Sequence, residues 1–348
     1  MKEKSFKRID KIRVEERYIG EGEPCFIVAE AGVNHNGDVD LAKKLIAIAK
    51  EAGADAVKFQ TFRAEELATK STAGESHFNM LKRLELSRRD LEVLSAYTHD
   101  MGIIFLSSPF DRDSVDFLDV LGVPVFKIAS GEITNFPLLK HIAGKGRPII
   151  LSTGMSLLEE IRGALAVIRK GGVEDIILLH CVTSYPAKIE EMNLKTMATL
   201  RNTFKLPVGL SDHSLGVNIP IAAVAMGACL IEKHFTLNKN LPGPDHGASL
   251  EPDELKQMVR SIKDAERAMG NGVKKLTNGE EENKKVARRS IVASVDIPEG
   301  TIITDKMLDI KRPGTGIELK DIAKVIGQVS RTNIKKDEPL AWDKVKHV

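Results

Sequence analysis

This sequence predicts an α/β fold: a TIM-type (βα)8 barrel followed by a small C-terminal domain. From residue 25 to about residue 270, short β-branched runs alternate with longer segments of helical period, the signature of βα units around a parallel sheet. The runs number eight within about 250 residues, which is the size of such a barrel. Neither a GxGxxG nor a GxxxxGK loop is present to support the alternative, an open doubly wound sheet.

The eight predicted strands are CFIVAEA (25–31), AVKFQTF (56–62), IIFLSSP (103–109), VFKIAS (125–130), PIILSTG (148–154), DIILLHCV (175–182), PVGLSD (207–212) and CLIEKHFT (229–236). Between them, stretches such as DLAKKLIAIAKEAG, DLEVLSAYTHDMG, LLEEIRGALAVIRKGG and DELKQMVRSIKDAERAMG carry apolar residues at i, i+3, i+4 and i+7. Each of these stops at a glycine. The first domain is expected over residues 1–273, including an N-terminal extension. A polar, charged linker, KKLTNGEEENKKVA (274–287), then leads to a second domain at 288–348. Within that domain VDIPEGTIITDKML and TNIKKDEPLAWDKV resemble each other at an offset of 37 residues, which suggests a duplicated strand-turn-strand unit.

Bulk composition narrows the function classes. A chain of 348 residues with 42% hydrophobic content can bury a large core. Its 51 basic and 49 acidic residues leave a net charge of +2, with no basic patch, so nucleic acid is not an expected partner. The N-terminus lacks the apolar region of a signal peptide and no run is long enough to span a bilayer, so the expectation is a cytoplasmic protein with no membrane partner. Cys25, Cys181 and Cys229 show no CxxC spacing and lie in apolar runs, which reads as buried reduced thiols, with a catalytic thiol a distant second.

Active sites of this barrel form where the βα loops gather, at the C-terminal ends of the strands. Those ends are polar in every unit: Glu30; Lys58 and Gln60; Ser107 and Ser108; Lys127, Ser130 and Glu132; Ser152 and Thr153; His180, Thr183 and Tyr185; Asp212 and His213; Glu232 and His234. Singly, a serine is a helix cap, a lysine a solvated or salt-bridged side chain and a histidine a bonded core residue. Together, ionisable groups facing a barrel interior are costly unless they bind something. His213 and His234 end neighbouring strands about 4.8 Å apart, so two imidazoles can converge on a divalent ion such as Mn²⁺, Mg²⁺ or Zn²⁺. The competing reading is two structural histidines and a plain turn at GLSDHSLG. Lys58, Lys127, Ser130 and Ser152 suit an anionic phosphate or carboxylate. Glu30, Glu132 and Glu232 are the acid/base carboxylates, unranked by physics alone.

The motifs AEAGVNHNGD, DAVKFQTF, SSPFD, FKIASGE, LSTGMS, LHCVTSYPA, GLSDHS, EKHFT and GPDHGASLEP resemble, in order and spacing, those of the sialic acid synthases. RRSIVASVDIPEGTIIT with IKRPGTGI is similar to the antifreeze-like (SAF) domain of that family. The resemblance spans nearly the whole chain. It implies a TIM barrel with a small β-clip domain, and metal-dependent condensation of phosphoenolpyruvate with an N-acylmannosamine and water, giving a nine-carbon 2-keto acid such as N-acetylneuraminate, and phosphate. By the same resemblance His213 and His234 are metal ligands, with Mn²⁺ foremost and Mg²⁺ or Co²⁺ as substitutes. Lys58, Lys127, Ser108, Ser130 and Ser152 hold phosphoenolpyruvate. Glu30, Tyr185 and Asp245 match sugar-side positions, and Glu132 and Glu232 are the groups for proton transfer or ordering of water. Thr183 stands where family members that make N-acetylneuraminate often have Asn, which keeps a diacetamido-trideoxyhexose, and hence a legionaminate- or pseudaminate-type product, open. The resemblance also implies a domain-exchanged homodimer in which Arg312 of the second domain reaches the partner's sugar site. Two readings from other classes stand beside it: a Schiff-base aldolase using Lys58 or Lys127, and a non-enzymatic sugar-binding protein.

Overall fold

The computed structural model describes residues 8–346, apart from the side chains of residues 70–76. The first seven and last two residues of the expected domains thus lie outside the described residues. The chain divides into two compact units, Met1–Gly270 and Asn271–Val348.

The first unit is the barrel. Its strands are β1 (Phe26–Gly32), β2 (Ala56–Thr61), β3 (Ile104–Pro109), β4 (Phe126–Ile128), β5 (Ile149–Ser152), β6 (Ile176–Cys181), β7 (Val208–Asp212) and β8 (Leu230–His234). They form one parallel sheet in the order β3-β2-β1-β8-β7-β6-β5-β4. β3 and β4 pack side by side and bring the sheet round on itself, without a hydrogen-bonded register between them. Each strand matches its expected run: β1 is shifted by one residue, ending at Gly32 rather than Ala31, and the other seven are shortened by one or two residues at one or both ends where the chain leaves the ladder for a loop. After β4, for example, it turns at once into a short 3-10 helix, Ser130–Glu132.

The helices form where caps and apolar period agree. Helix Val39–Ala52 starts on Asp38, whose carboxylate accepts from the backbone N–H groups of Asp40 and Leu41. It buries Ala42, Leu45, Ile46 and Ala49 on one face and ends at Gly53, whose φ of +83° needs glycine. Helix Arg88–Met101 opens with a reciprocal Ser87–Asp90 capping box. These apolar faces pack against the outward residues of the strands in one continuous core.

Period-2 alternation sorts each strand into an outward and a lumen face. At the N-terminal end of the lumen the inward residues are apolar: Phe26 and Val28, Leu106, Ile150, Ile177 and Leu179, and Leu230. An antiparallel hairpin, Lys11–Val14 with Arg17–Gly20, presses Ile12, Val14 and Ile19 onto this layer. The hairpin was not legible in the charged N-terminal sequence, because each arm is four residues long and buries only two of them. It makes that end of the lumen dry and leaves the C-terminal end for polar groups.

In the second unit Ser290–Ala293 pairs antiparallel with Leu308–Lys311, and Val329–Ser330 with Val345–Lys346. The internal repeat has a structural meaning. Ile297 and Ile334, which are 37 residues apart, exchange two backbone hydrogen bonds of 2.8 Å. Ile303 and Leu340, equivalent positions in the two copies, are both fully buried. The two copies thus pair with each other about a local two-fold and share one small core. Within the stretch expected as a linker, residues Asn278–Ala287 are an α-helix, opened by a Thr277–Glu280 capping box. A helix rises about 1.5 Å per residue rather than the ~3.3 Å of extended chain, so the segment spans far less than an open tether.

The hairpin generates a prediction. Ile19 is completely buried in the apolar layer, so Ile19→Ala should destabilise the barrel by about 2–4 kcal/mol. Urea denaturation followed by tryptophan-independent far-UV circular dichroism should show the lowered midpoint, while a change at exposed Glu16 should leave it in place.

Candidate active site at the C-terminal end of the barrel

Continuing the alternation upward, the same lumen faces present Glu30 on β1, Lys58 on β2, Ser108 on β3, Lys127 on β4, Ser152 on β5, Cys181 on β6, Ser211 on β7, and Glu232 and His234 on β8. All are buried. Their apolar neighbours one layer below explain the placement: two residues further along a strand is the same face, one layer higher.

Four of these side chains form a buried charge set. Lys58 Nζ lies 2.7 Å from Glu30 Oε2 and 3.7 Å from Glu232 Oε2, and donates to Ser108 Oγ at 3.1 Å. Lys127 Nζ lies 3.2 Å from Glu232 Oε1, which also accepts from Ser211 Oγ at 3.0 Å. Two cations and two carboxylates therefore compensate one another in a water-poor space. The members are not equivalent. Burial raises the Glu30 carboxyl to about 7 against the pull of Lys58, with Glu232 adding to the rise. Burial also opposes ionisation of Glu232, but Lys127 and Lys58 together with the Ser211 hydroxyl outweigh it and hold that carboxyl near 2. Burial pushes Lys127 down from the ordinary lysine range, whereas the two carboxylates outweigh burial for Lys58 and raise it. Glu232 is thus the permanent counter-ion, and Glu30 is the member poised to exchange a proton near neutrality.

Beside the charge set, Ser130 Oγ accepts from the Gly154 N–H at 3.0 Å, and Ser152 Oγ is buried with no hydrogen-bond partner. A Cβ on Gly154 would meet Thr183 Oγ1 at 2.2 Å and Ser130 Oγ at 2.8 Å, so this wall tolerates only glycine. Cys181 Sγ, 3.8 Å from both Thr183 Oγ1 and His213 Nδ1, completes it. Burial opposes ionisation of this thiol, but His213, Ser130 and Lys127 draw it below the usual range. The Lys127 and Lys58 ammonium groups, the unpaired Ser152 hydroxyl and the small backbone wall together make a cradle for a compact anion.

The imidazoles of His213 and His234 come together, ring centroids 5.4 Å apart. His213 donates its Nδ1–H to the Val182 carbonyl at 2.8 Å, which turns Nε2 out as the lone-pair nitrogen. His234 Nδ1 is buried without a hydrogen bond, with Asp245 Oδ2 at 3.7 Å, beyond bonding reach. Burial, with His213 and Lys58 nearby, pushes His234 well below the ordinary histidine range, so it stays neutral. Burial opposes protonation of His213, but the Cys181 thiol, the Val182 carbonyl and Glu232 outweigh it and raise this imidazole above its usual range. Two oriented imidazoles beside a half-buried carboxylate fit a divalent ion with open coordination positions, which would displace the proton from His213. Among the described residues, no three His, Cys, Asp or Glu side chains form a ready-made ligand cluster. Gly32, with φ of +53°, makes room for the His234 ring: a Cβ there would lie 3.2 Å from Cε1. Tyr185 lies over His213 at 4.1 Å between ring centroids and meets His234 edge-on at 5.8 Å.

The sequence-predicted residues thus divide. Glu30, Lys58, Ser108, Lys127, Glu232, His213 and His234 converge, Tyr185 and Asp245 flank the imidazoles, and Ser130, Ser152 and Thr183 lie on the cradle side. Gln60 is half-buried at the end of β2 in register with Ser108. Glu132 is half-buried and accepts from Asn135, the cap of the following helix, an engagement that ties it to the rim. Arg312 is exposed in the second unit, after the strand Leu308–Lys311. Of the polar strand ends, Ser107, His180 and Asp212 fall on the outward face: Ser107 bonds Thr61, His180 donates to the Met192 carbonyl, and Asp212 pairs with Lys233. Sequence reasoning missed Ser211, Gly32, Gly154 and the part played by Cys181. Counting by twos from His213, Glu30, Ser152 and Leu179 along their strands reaches Ser211, Gly32, Gly154 and Cys181, and was the available signal.

Comparison with known proteins agrees with this geometry. Residues 45–274 match the model of a family described as the NeuB family, and residues 288–346 that of the SAF domain. Over 325 residues the chain is 50% identical to an N,N'-diacetyllegionaminic acid synthase of Campylobacter jejuni, covering 90% of this chain and 97% of the relative. It is 48% identical over 341 residues to the Legionella pneumophila protein of the same name, covering 94% and 96%. The human N-acetylneuraminate-9-phosphate synthase is 37% identical over 93% of each chain. Among solved structures, an N-acetylneuraminic acid synthetase from Leptospira borgpetersenii with bound citrate superposes with a TM-score of 0.73 at 37% identity, over 79% of this chain and 95% of that one.

The charge set predicts a pH signature. A carboxyl raised to about 7 in the folded protein and near 4.3 when unfolded stabilises the fold fully below the lower value, and this stability is lost as pH rises through the upper one. Relative to Glu30→Gln, which is neutral throughout, the wild type should lose about 3–4 kcal/mol between pH 4 and 8. Thermal unfolding of both proteins across that range measures the difference. A pH-independent difference would mean that Glu30 titrates normally.

Proposed function

The chain belongs to the NeuB family, and from that premise we propose that it is a sialic acid-type synthase. It joins C3 of phosphoenolpyruvate to the aldehyde carbon of an open-chain N-acylmannosamine-type sugar, adds water at C2 and releases phosphate. The observation that carries this reading is the buried Lys58–Glu30–Glu232–Lys127 set lying beside a converged imidazole pair in one barrel mouth. A site that binds a small dianion next to a polarised carbonyl needs both halves.

The residues divide the work. Lys58 and Lys127, with Ser108, Ser130 and Ser152, hold the phosphate and carboxylate of phosphoenolpyruvate, and Glu232 keeps the two ammonium groups in place whether or not the anion is present. Positive charge that develops at C2 is stabilised by Glu232 and by Glu30 in its ionised form. Glu30 takes the proton of the water adding at C2 and returns it as phosphate leaves. His213 and His234 would hold a divalent ion, Mn²⁺ foremost, which would supply a Lewis acid for the sugar's carbonyl oxygen. Tyr185 and Asp245 border the sugar side, where Thr183 and Gln60 complete the wall. The Schiff-base alternative is disfavoured for Lys58, whose partners raise rather than lower its basicity.

Of the two sugars the sequence leaves open, the diacetamido-trideoxyhexose is favoured, because the relatives at 48% and 50% identity are named for a diacetyllegionaminic acid product, whereas the N-acetylneuraminate-9-phosphate synthase stands at 37%. We further propose a homodimer in which the second unit caps the partner's barrel and its exposed Arg312 contacts the sugar's acyl group. Action in the cytoplasm is supported by three free, buried thiols, and among the described residues no helix is long and apolar enough to cross a membrane.

The test is phosphate release from phosphoenolpyruvate with Mn²⁺ and a panel of N-acylmannosamines and 2,4-diacetamido sugars. Turnover should be greatest with a diacetamido sugar. Phosphoenolpyruvate labelled with ¹⁸O at the bridging oxygen should pass its label to phosphate. No release with any sugar of the panel, or label kept in the keto acid, would sink the reading. His213→Ala and His234→Ala should each lower kcat at least a hundredfold while leaving the thermal midpoint near that of wild type.

A further inference from the structure

Between two lumen-facing pairs on β7 and β8, Ser211 with Glu232 and His213 with His234, lies an outward pair. Asp212 and Lys233 are direct partners in the β7–β8 register. Both are almost fully buried, at 1% exposure each. Lys233 Nζ lies 2.5 Å from Asp212 Oδ2 and donates to the Ser214 carbonyl at 2.6 Å. Asp212 Oδ1 accepts from the Ser214 N–H at 2.9 Å. One ion pair therefore holds both backbone polar groups of the residue after His213, from a lysine that immediately precedes His234.

Neither charge faces the lumen, and neither can touch a substrate there. Yet each is covalently next to an imidazole, and the bonds to Ser214 cross from one imidazole's strand to the other's loop. The position of His213 also rests on Val182, which accepts its ring N–H, and on its own carbonyl, which accepts from Ala187 N–H at 2.9 Å. Those bonds tie it to the β6 loop only. Beyond the β7–β8 backbone ladder, which ends at Asp212 and Lys233, the ion pair of these two residues extends the tie to β8 past His213 to Ser214.

We propose that Asp212 and Lys233 are positioning residues that set the separation of the His213 and His234 imidazoles, and so the affinity of the site for its divalent ion. This rests on the reading of that imidazole pair as the metal site. Groups that hydrogen-bond a metal ligand directly are worth roughly 10–100-fold in metal affinity; this pair acts on the imidazoles through the adjacent backbone and Ser214, so the lower end of that range is expected.

The experiment is direct Mn²⁺ binding to the metal-stripped full chain, read from the electron paramagnetic resonance of free Mn²⁺, with the KM for phosphoenolpyruvate measured alongside. Two variants are compared with wild type: Lys233→Met, and Asp212→Asn combined with Lys233→Met, which removes both charges and keeps an acceptor for Ser214 N–H. Both should weaken Mn²⁺ binding at least tenfold and leave the KM for phosphoenolpyruvate within threefold at saturating Mn²⁺, and Lys233→Arg should recover part of the affinity. Mn²⁺ affinity within twofold of wild type in either folded variant would overturn the proposal. So would equal losses in both ligands, or loss of the folded state in both variants, since the pair would then be a core ion pair without a local role. His234→Ala separates this outcome from failure of the underlying reading: if that variant binds Mn²⁺ as tightly as wild type, the metal is not held by the imidazoles at all.

Discussion

Two ammonium groups and two carboxylates inside one barrel lumen can exist only as a set. Each is buried to within a few per cent of complete exclusion from water, and an unpartnered charge there would cost several kcal/mol. Lys58 answers Glu30 and Glu232, and Glu232 answers Lys58 and Lys127. Once these four are placed, much else is constrained: the small residues that give the side chains room, the dry layer beneath them, and the unequal proton affinities of the two carboxylates.

That inequality is the chemical content of the site. Glu232 has two cations and a hydroxyl around it, whereas Glu30 has one close cation and feels the negative charge of Glu232. The same burial therefore produces one carboxylate that never leaves its ionised form in ordinary conditions and one that titrates near neutrality. A single lumen thereby contains a fixed counter-charge and an exchangeable proton. The imidazole pair adds a different capability beside it: His234 is held neutral by burial and by the charges of His213 and Lys58, while the Cys181 thiol and the Val182 carbonyl raise the proton affinity of His213.

The fold and the greater part of the site were legible in the sequence for one reason. Both rest on short-range periodicity. Period 2 within strands of three to seven residues places Glu30, Lys58, Ser108, Lys127 and Glu232 on one face, and period 3.6 between them identifies the covering helices. The N-terminal hairpin escaped because four-residue arms are too short to show a period. The helix Asn278–Ala287 escaped because all its residues are exposed; it is specified by its cap and its charges, with no apolar stripe to reveal it. Ser107, His180 and Asp212 were indistinguishable in composition from the lumen residues, and only their parity along the strand separates them.

The sequence by itself determined which residue types stand at the strand ends, that they alternate, and that the barrel closes at eight units, since these are properties of neighbours along the chain. It also determined the internal repeat of the second unit. Only the tertiary structure decided which charges meet: that Glu232 faces two lysines and Glu30 one, that Gly32 and Gly154 are spaces for His234 and Thr183, and that Lys233 reaches Asp212 rather than the lumen. Such pairings join residues 20 to 200 positions apart, and in a closed barrel they follow from strand register and stagger. A shift of one residue would exchange the inward and outward sets, so the partner of each charge is a property of the assembled ladder and not of any segment within it.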